Sequence, residues 1–455
     1  MKYSLYLCAF WPLAFASITL LDPGDYVDVD ADDSDNALAM DYKNPGVTYQ
    51  TISVTGPYYY SDKDVSLAHR VYEVKKNDTS VIVVTDSSDA NISSVDVIKY
   101  GYASSLNQAS FFGVNAAINV ANASTANIAN SNITTRNGAA NLYAYGTNTT
   151  VTITNSDMYS SGPCAHGVYA AGNATVYAAG IRQYSGGIRS SAFAGDSPGG
   201  YLHINNSVAH TAERGSAIFY ALGEAYGTDL VGVAENSPSL FSDGAQKAVF
   251  ENVDFTAGLL AGTVMFCSTP RQSGASLSFT NSHLTTTGET MAGLWFGNVI
   301  AEAKLYSTTI STRSGILVIA NSSRITPEFD YFAGAEYSSF VLPAIVDIDV
   351  EESTLVGDLV TYNGSSISWG LGNHSTWTGT AYSIGNNGSV AVSLDSTSTW
   401  IVTADTVLQN ITTTRLSNIH DQGHTIYYDS SSSANSWLNS STVRLPAGGR
   451  LSPIH

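Results

Sequence analysis

The chain has 455 residues, 44% of them hydrophobic and only 13% charged, which gives ample apolar content for a core and about half the charge of an ordinary soluble protein. Lys and Arg number 19 against 38 Asp and Glu, a formal net charge of −19. A surface this acidic repels nucleic acid and anionic lipid, which excludes polyanions as partners.

The first predicted element is a secretory signal over residues 1–16: Met1-Lys2-Tyr3, an apolar run from Leu5 to Phe15, and the small-residue cleavage site Ala14-Phe15-Ala16, so that the mature chain starts at Ser17. No run approaches the ~20 apolar residues of a bilayer span. The segment from Ala447 to His455 lacks the hydrophobic tail of a GPI signal. The expected product is secreted, extracellular or cell-wall associated, with no membrane span. Residues 17–94 are expected to form an acidic leader and a cap over the first coil. Within them Asp22 to Asp35 holds seven Asp in fourteen residues, yet lacks the Gly and Glu that a Ca²⁺ loop needs at its sixth and twelfth positions, and is read as a solvated leader.

From about residue 95 the chain repeats. Val151-Thr-Ile-Thr-Asn-Ser156 with Tyr159, Ser160 and Gly162 matches the segment from Val176 to Gly187 at an offset of 25, and Ile128-Ala-Asn-Ser131 precedes Ile153-Thr-Asn-Ser156 by the same 25. Tyr143 precedes Tyr169 by 26, the phrase returns at Ile204 to Ser207 and Phe279 to Ser282, and Trp377 and Trp400 repeat at 23. Within each unit, alternating runs such as Val-Thr-Ile-Thr and Gly-Leu-Trp-Phe are broken by Gly, Asn, Ser and Asp, the mark of short strands between turns. A propeller blade needs about 40–50 residues. The prediction is an all-β, right-handed parallel β-helix of about 14 coils over 95–445 and roughly 65 Å long, with 446–455 as a tail. Ile128, Ile153 and Phe279 should occupy equivalent inward positions, and the repeated Asn should form an amide ladder.

The phrases "TITNS", "SLSFTNSHLTTTG" and "VSLDSTSTWIVTADTVLQNI" resemble the repeats of secreted right-handed β-helix proteins, the pectin-lyase-like superfamily and in particular the adhesin-type passengers of bacterial autotransporters. The resemblance covers residues 100–415 and, with the signal peptide and sequons, suggests a fungal member. Within that stretch the Asn-Thr-Asp, Asp-Asp and Gly-His-Gly motifs of the polygalacturonase branch are absent, and no outer-membrane barrel is apparent after it.

Thirteen Asn-x-Ser/Thr sequons mark expected glycosylation sites: Asn77, Asn91, Asn122, Asn132, Asn148, Asn173, Asn205, Asn321, Asn363, Asn373, Asn387, Asn410 and Asn439. The gap of 116 residues between Asn205 and Asn321 suggests a face kept clear of glycan. Cys8 leaves with the signal, and Cys164 and Cys267 sit three to four coils apart, about 14–19 Å, too far for a disulfide.

Two carboxylate groupings are the catalytic candidates. Asp347, Asp349 and Glu351 alternate with Val346, Ile348 and Val350, which puts three carboxylates on one outward face with the spacing of a glycosidase pair or a Ca²⁺ site. Asp229, Glu235, Asp243, Glu251 and Asp254 fall on two successive coils, with Arg214 and Lys247 to neutralise them. For both, a solvated acidic face is the simpler reading. Gly195-Asp-Ser197-Pro-Gly199 matches the nucleophile-elbow pattern but has the composition of a turn. His420 and His424 lack a helix and a third ligand. The Tyr143/Tyr169 and Trp377/Trp400 pairs are core if inward and sugar-stacking platforms if outward; core is preferred. No cofactor or metal is expected. The sequence points first to a non-catalytic, adhesin-like rod binding polysaccharide or cell-wall glycan, and second to a glycoside hydrolase or polysaccharide lyase.

Overall fold

The computed structural model describes residues 50–322 and 341–454, apart from 139 and 386. The expected signal peptide, Cys8 and the Asp22 to Asp35 run lie outside the described residues. Strands hold 55% of residues and helices 4%, and parallel sheets stack as a β-solenoid of about 15 turns.

Each turn is three short strands. Leu142–Tyr145, Thr150–Thr154 and Asp157–Ser160 make one turn, and Val168–Ala171, Thr175–Ala179 and Arg182–Ser185 the next, paired parallel and in register. The first strand of most turns joins a 13-stranded sheet, and the second and third belong largely to a 21-stranded one. The 25-residue repeat is therefore one circuit of the chain.

Alternation in the sequence becomes alternation between inside and outside. Ile128, Ile153, Ala178, Ile204, Gly227, Phe250 and Phe279 form one in-register column, so Ile128, Ile153 and Phe279 are equivalent as expected, and all three are buried. Gly227 makes room in that column, since a Cβ there would stand 2.9 Å from the Phe250 ring. Trp377 and Trp400 stack inside at 4.9 Å, each indole N–H donating to the carbonyl of Gly357 or Gly379. Tyr143 and Tyr169 also stack, at 4.7 Å, but on the outer face of the 13-stranded sheet. They are buried there by the one α-helix among the described residues, α1 (Leu106–Phe112), whose Ser110 carbonyl accepts the Tyr143 hydroxyl.

The corner between second and third strands explains the Asn-Ser phrase and corrects the expected amide ladder. Asn130, Asn155, Asn206 and Asn281 have φ between 44° and 51°, the left-handed conformation that Asn tolerates better than other side chains. The ladder belongs to the serine that follows. Each hydroxyl of Ser131, Ser156, Ser207 and Ser282 accepts a backbone N–H from the preceding turn, from Val95, Ser131, Ile181 and Val253. Each also donates to the carbonyl two residues back on its own strand. Ser353, Ser375 and Ser398 continue the pattern.

Stacked strands begin at Tyr58, ahead of residue 95, and Arg450–Ile454 pairs with both Thr425–Asp429 and Val443–Arg444. The expected cap and tail boundaries thus fall inside the solenoid. Cys164 and Cys267 are both buried and not joined in a disulfide, and burial pushes the Cys267 thiol up to about 11.

Replacing Ser375 by Ala removes one acceptor from a fully buried corner and should cost about 1–3 kcal/mol. Ser311→Ala on the outer face should cost under about 0.5 kcal/mol. Denaturant midpoints of the two variants measure the difference.

Candidate functional site

The turns that follow the 13-stranded sheet form one wall of a cleft of about 560 Å³. Its acidic groups arise from the strand register. Gly195, Ala221 and Ser242 are paired in successive turns, so the next residues, Asp196, Leu222 and Asp243, occupy equivalent positions on three rungs. Asp196 and Asp243 are two rungs apart, roughly 9.6 Å along the solenoid, and both line the cleft.

Both carboxyls are almost fully buried, at 3% and 5% exposure, and both are held by the adjoining turns. One oxygen of Asp196 accepts the Ser197 N–H at 2.7 Å, and one of Asp243 accepts the Ser268 N–H at 2.7 Å. Burial raises the Asp243 carboxyl to about 6, against the lowering effect of the Ser268 bond. Half-buried Glu224 stands on the rung between and accepts the Tyr226 hydroxyl. Tyr201, Tyr220 and Phe111 give the cleft aromatic walls, and Gln246 and Gln272 give it amides. A concave site with aromatic walls, a few convergent polar groups and a carboxyl of raised pKa has the makeup of a ligand site.

The remaining candidates lie elsewhere. Of the second grouping only Asp243 enters the cleft. Asp229, Glu235, Glu251 and Asp254 are exposed on outer faces, Asp229 accepting the Asn252 amide and Glu235 bonded to His210 at 2.6 Å. Lys247 sits over the Tyr226 ring and opposite Glu224 in the strand register, away from the carboxylates of its grouping. Asp347, Asp349 and Glu351 do share an outward face, opposite Glu302, Lys304 and Tyr306. Desolvation, then the charges of Asp349 and Glu302, raises Asp347. No group of three or more His, Cys, Asp or Glu able to hold a metal occurs among the described residues. His424 lies 3.6 Å from Asp405. Each sequon asparagine is exposed or half-buried, and Asn173 lies at the cleft.

Gly195 ends a strand and the chain bends at Ser197 and Pro198, in keeping with the turn composition, but Asp196 went unrecognised as a site residue. The signal was present: Ala-Phe-Ala-Gly-Asp196 and Leu-Phe-Ser-Asp243 end equivalent strands 47 residues, or two circuits, apart. Compared with protein-family models, curated proteins and solved structures, the chain matches none. Among the described residues no helix is long and apolar enough to cross a membrane.

The raised Asp243 carboxyl makes stability depend on pH in a defined direction. Its ordinary value is about 3.9, so between about pH 4 and 6 the folded protein holds a proton that the unfolded chain releases, and stability falls as pH rises through that window. Asp243→Asn should remove this component, so that the variant gains on the parent by on the order of 3 kcal/mol between pH 4 and pH 6.5. Denaturation of both proteins across that range tests it.

Proposed function

We propose that the protein is a secreted polysaccharide-binding β-solenoid, akin to the pectin-lyase-like superfamily, that hydrolyses a glycan chain in the Asp196–Asp243 cleft with inversion. The observation that carries this reading is the placement of two buried carboxyls at equivalent positions two rungs apart. Inverting glycosidases hold their acid and base about 6.5–9.5 Å apart to admit a water, whereas retaining enzymes need about 5–5.5 Å. Two rungs, roughly 9.6 Å between backbone positions, stand at the upper edge of the first range and far from the second.

Asp243, held near 6, is the general acid: its proton passes to the glycosidic oxygen as the bond from the anomeric carbon breaks. Asp196 is the general base, taking a proton from the water whose oxygen bonds to the anomeric carbon from the opposite side. Tyr201 and Tyr220 supply apolar faces for sugar rings. With a net charge of −19 and three carboxylates about the cleft, the chain bound is neutral rather than a polyuronate.

The second reading, a non-catalytic adhesin-like rod that presents glycan-binding faces, is favoured by the outward stack of Tyr177, His203 and Tyr226 on a different face. The signal peptide and sequons support secretion, a cell-wall setting, glycosylation and a fungal source for either reading.

Reducing-end release from galactomannan, xyloglucan and β-glucan decides between them. Asp243→Asn and Asp196→Asn should each lower turnover by at least about 100-fold with polymer binding retained. Changing Asp347, Asp349 and Glu351 together to Asn or Gln should alter neither, because exposed charges are worth about 0–1 kcal/mol each. Binding without release by the parent would establish the rod.

A further inference from the structure

One outer column of the 21-stranded sheet is polar over its first turns. Ser66, Asn91, Asn127 and Thr152 occupy it in register, and Ser278, Lys304 and Asp349 occupy it further on. Between these stand Tyr177, His203 and Tyr226, followed by Val249. The rings stack on one another, Tyr177 to His203 at 4.9 Å and 18°, and His203 to Tyr226 at 4.7 Å and 4°.

Rings stacked along the column have two end faces. The Tyr226 end is closed, since the Lys247 ammonium lies 5.2 Å from the ring centroid and Glu224 accepts the hydroxyl. The Tyr177 end is open. Tyr177 is 47% exposed, and the rung before it carries only Thr152. A hollow of about 370 Å³ lies against the stack, with Thr152, Thr154, Asn205 and Thr228 among its lining.

We propose that this hollow is an outlying sugar subsite, in which one pyranose ring continues the stack on the open face of Tyr177 over Thr152. The apolar face of a pyranose matches an aromatic ring, and its hydroxyls match those of Thr152 and Thr154. The subsite rests on the glycan-binding reading of the cleft and is continuous with it. Tyr201 and Glu224 line the cleft and precede His203 and Tyr226 by two residues on the same strands, about 6.6 Å. A neutral chain that leaves the cleft therefore meets the stack around the corner of the solenoid.

Affinity electrophoresis tests this in an Asp243→Asn background, with galactomannan, xyloglucan or laminarin in the gel and polygalacturonate as the charged control. Two variants attack the same face in opposite ways: Tyr177→Ala removes it, and Thr152→Phe fills the rung beside it with a fourth ring. Each should weaken retardation by the neutral polymer about fivefold, the worth of one ring contact, while thermal unfolding and affinity for a disaccharide that fills only the cleft stay unchanged. Retardation of both variants equal to that of their background overturns the subsite and leaves the cleft reading standing. A background protein that no neutral polymer retards overturns both, and stronger retardation by polygalacturonate overturns the neutral-chain assignment.

Discussion

Parallel in-register hydrogen bonding between successive turns is the constraint on which the rest of this structure depends. Each strand residue must sit about 4.8 Å from its counterpart one turn away, so every choice of side chain is repeated along a column and must tolerate its own neighbours. Gly227 makes room for the Phe250 ring inside, and serine hydroxyls pass hydrogen bonds along the corner. Residues added between strands leave the pairing intact, because lengthening a loop costs little. The circuit from Asp89 to Thr125 runs to 36 residues because it accommodates α1, yet their strands pair without a break.

The same constraint sets the chemistry of the cleft. Adjacent rungs would bring two buried carboxylates within about 5 Å, where they could not both ionise. Leu222 occupies the rung between Asp196 and Asp243, which doubles the separation and lets each carboxyl take its own protonation state. Burial then raises Asp243.

Fold class and repeat register were legible in the sequence because the pattern recurs at 25 residues with the same residue types, Ile-Thr-Asn-Ser above all. The Asn-Ser corner was legible as a turn but not in its division of labour, since both side chains form hydrogen bonds and only the backbone angle separates their roles. Asp243 stood out within an acidic grouping. Its partner Asp196 did not, because a lone Asp in a Gly-Pro turn reads as turn chemistry until the register places it on an equivalent rung. The outward stack was hidden for a similar reason: Tyr177, His203 and Tyr226 share a column but not a residue type, so a search for identical residues at the repeat offset passes over them.

If the rung is the unit of this molecule, removing one whole circuit must be far milder than removing part of one. Deleting residues 201–223 joins Gly200 to Glu224, which holds the register position of Tyr201, whereas deleting 201–211 breaks every column it crosses. Thermal unfolding followed by circular dichroism compares the two directly. The whole-circuit deletion should show a cooperative transition near that of the parent, and the partial one no cooperative transition. Equal behaviour of the two deletions would contradict it.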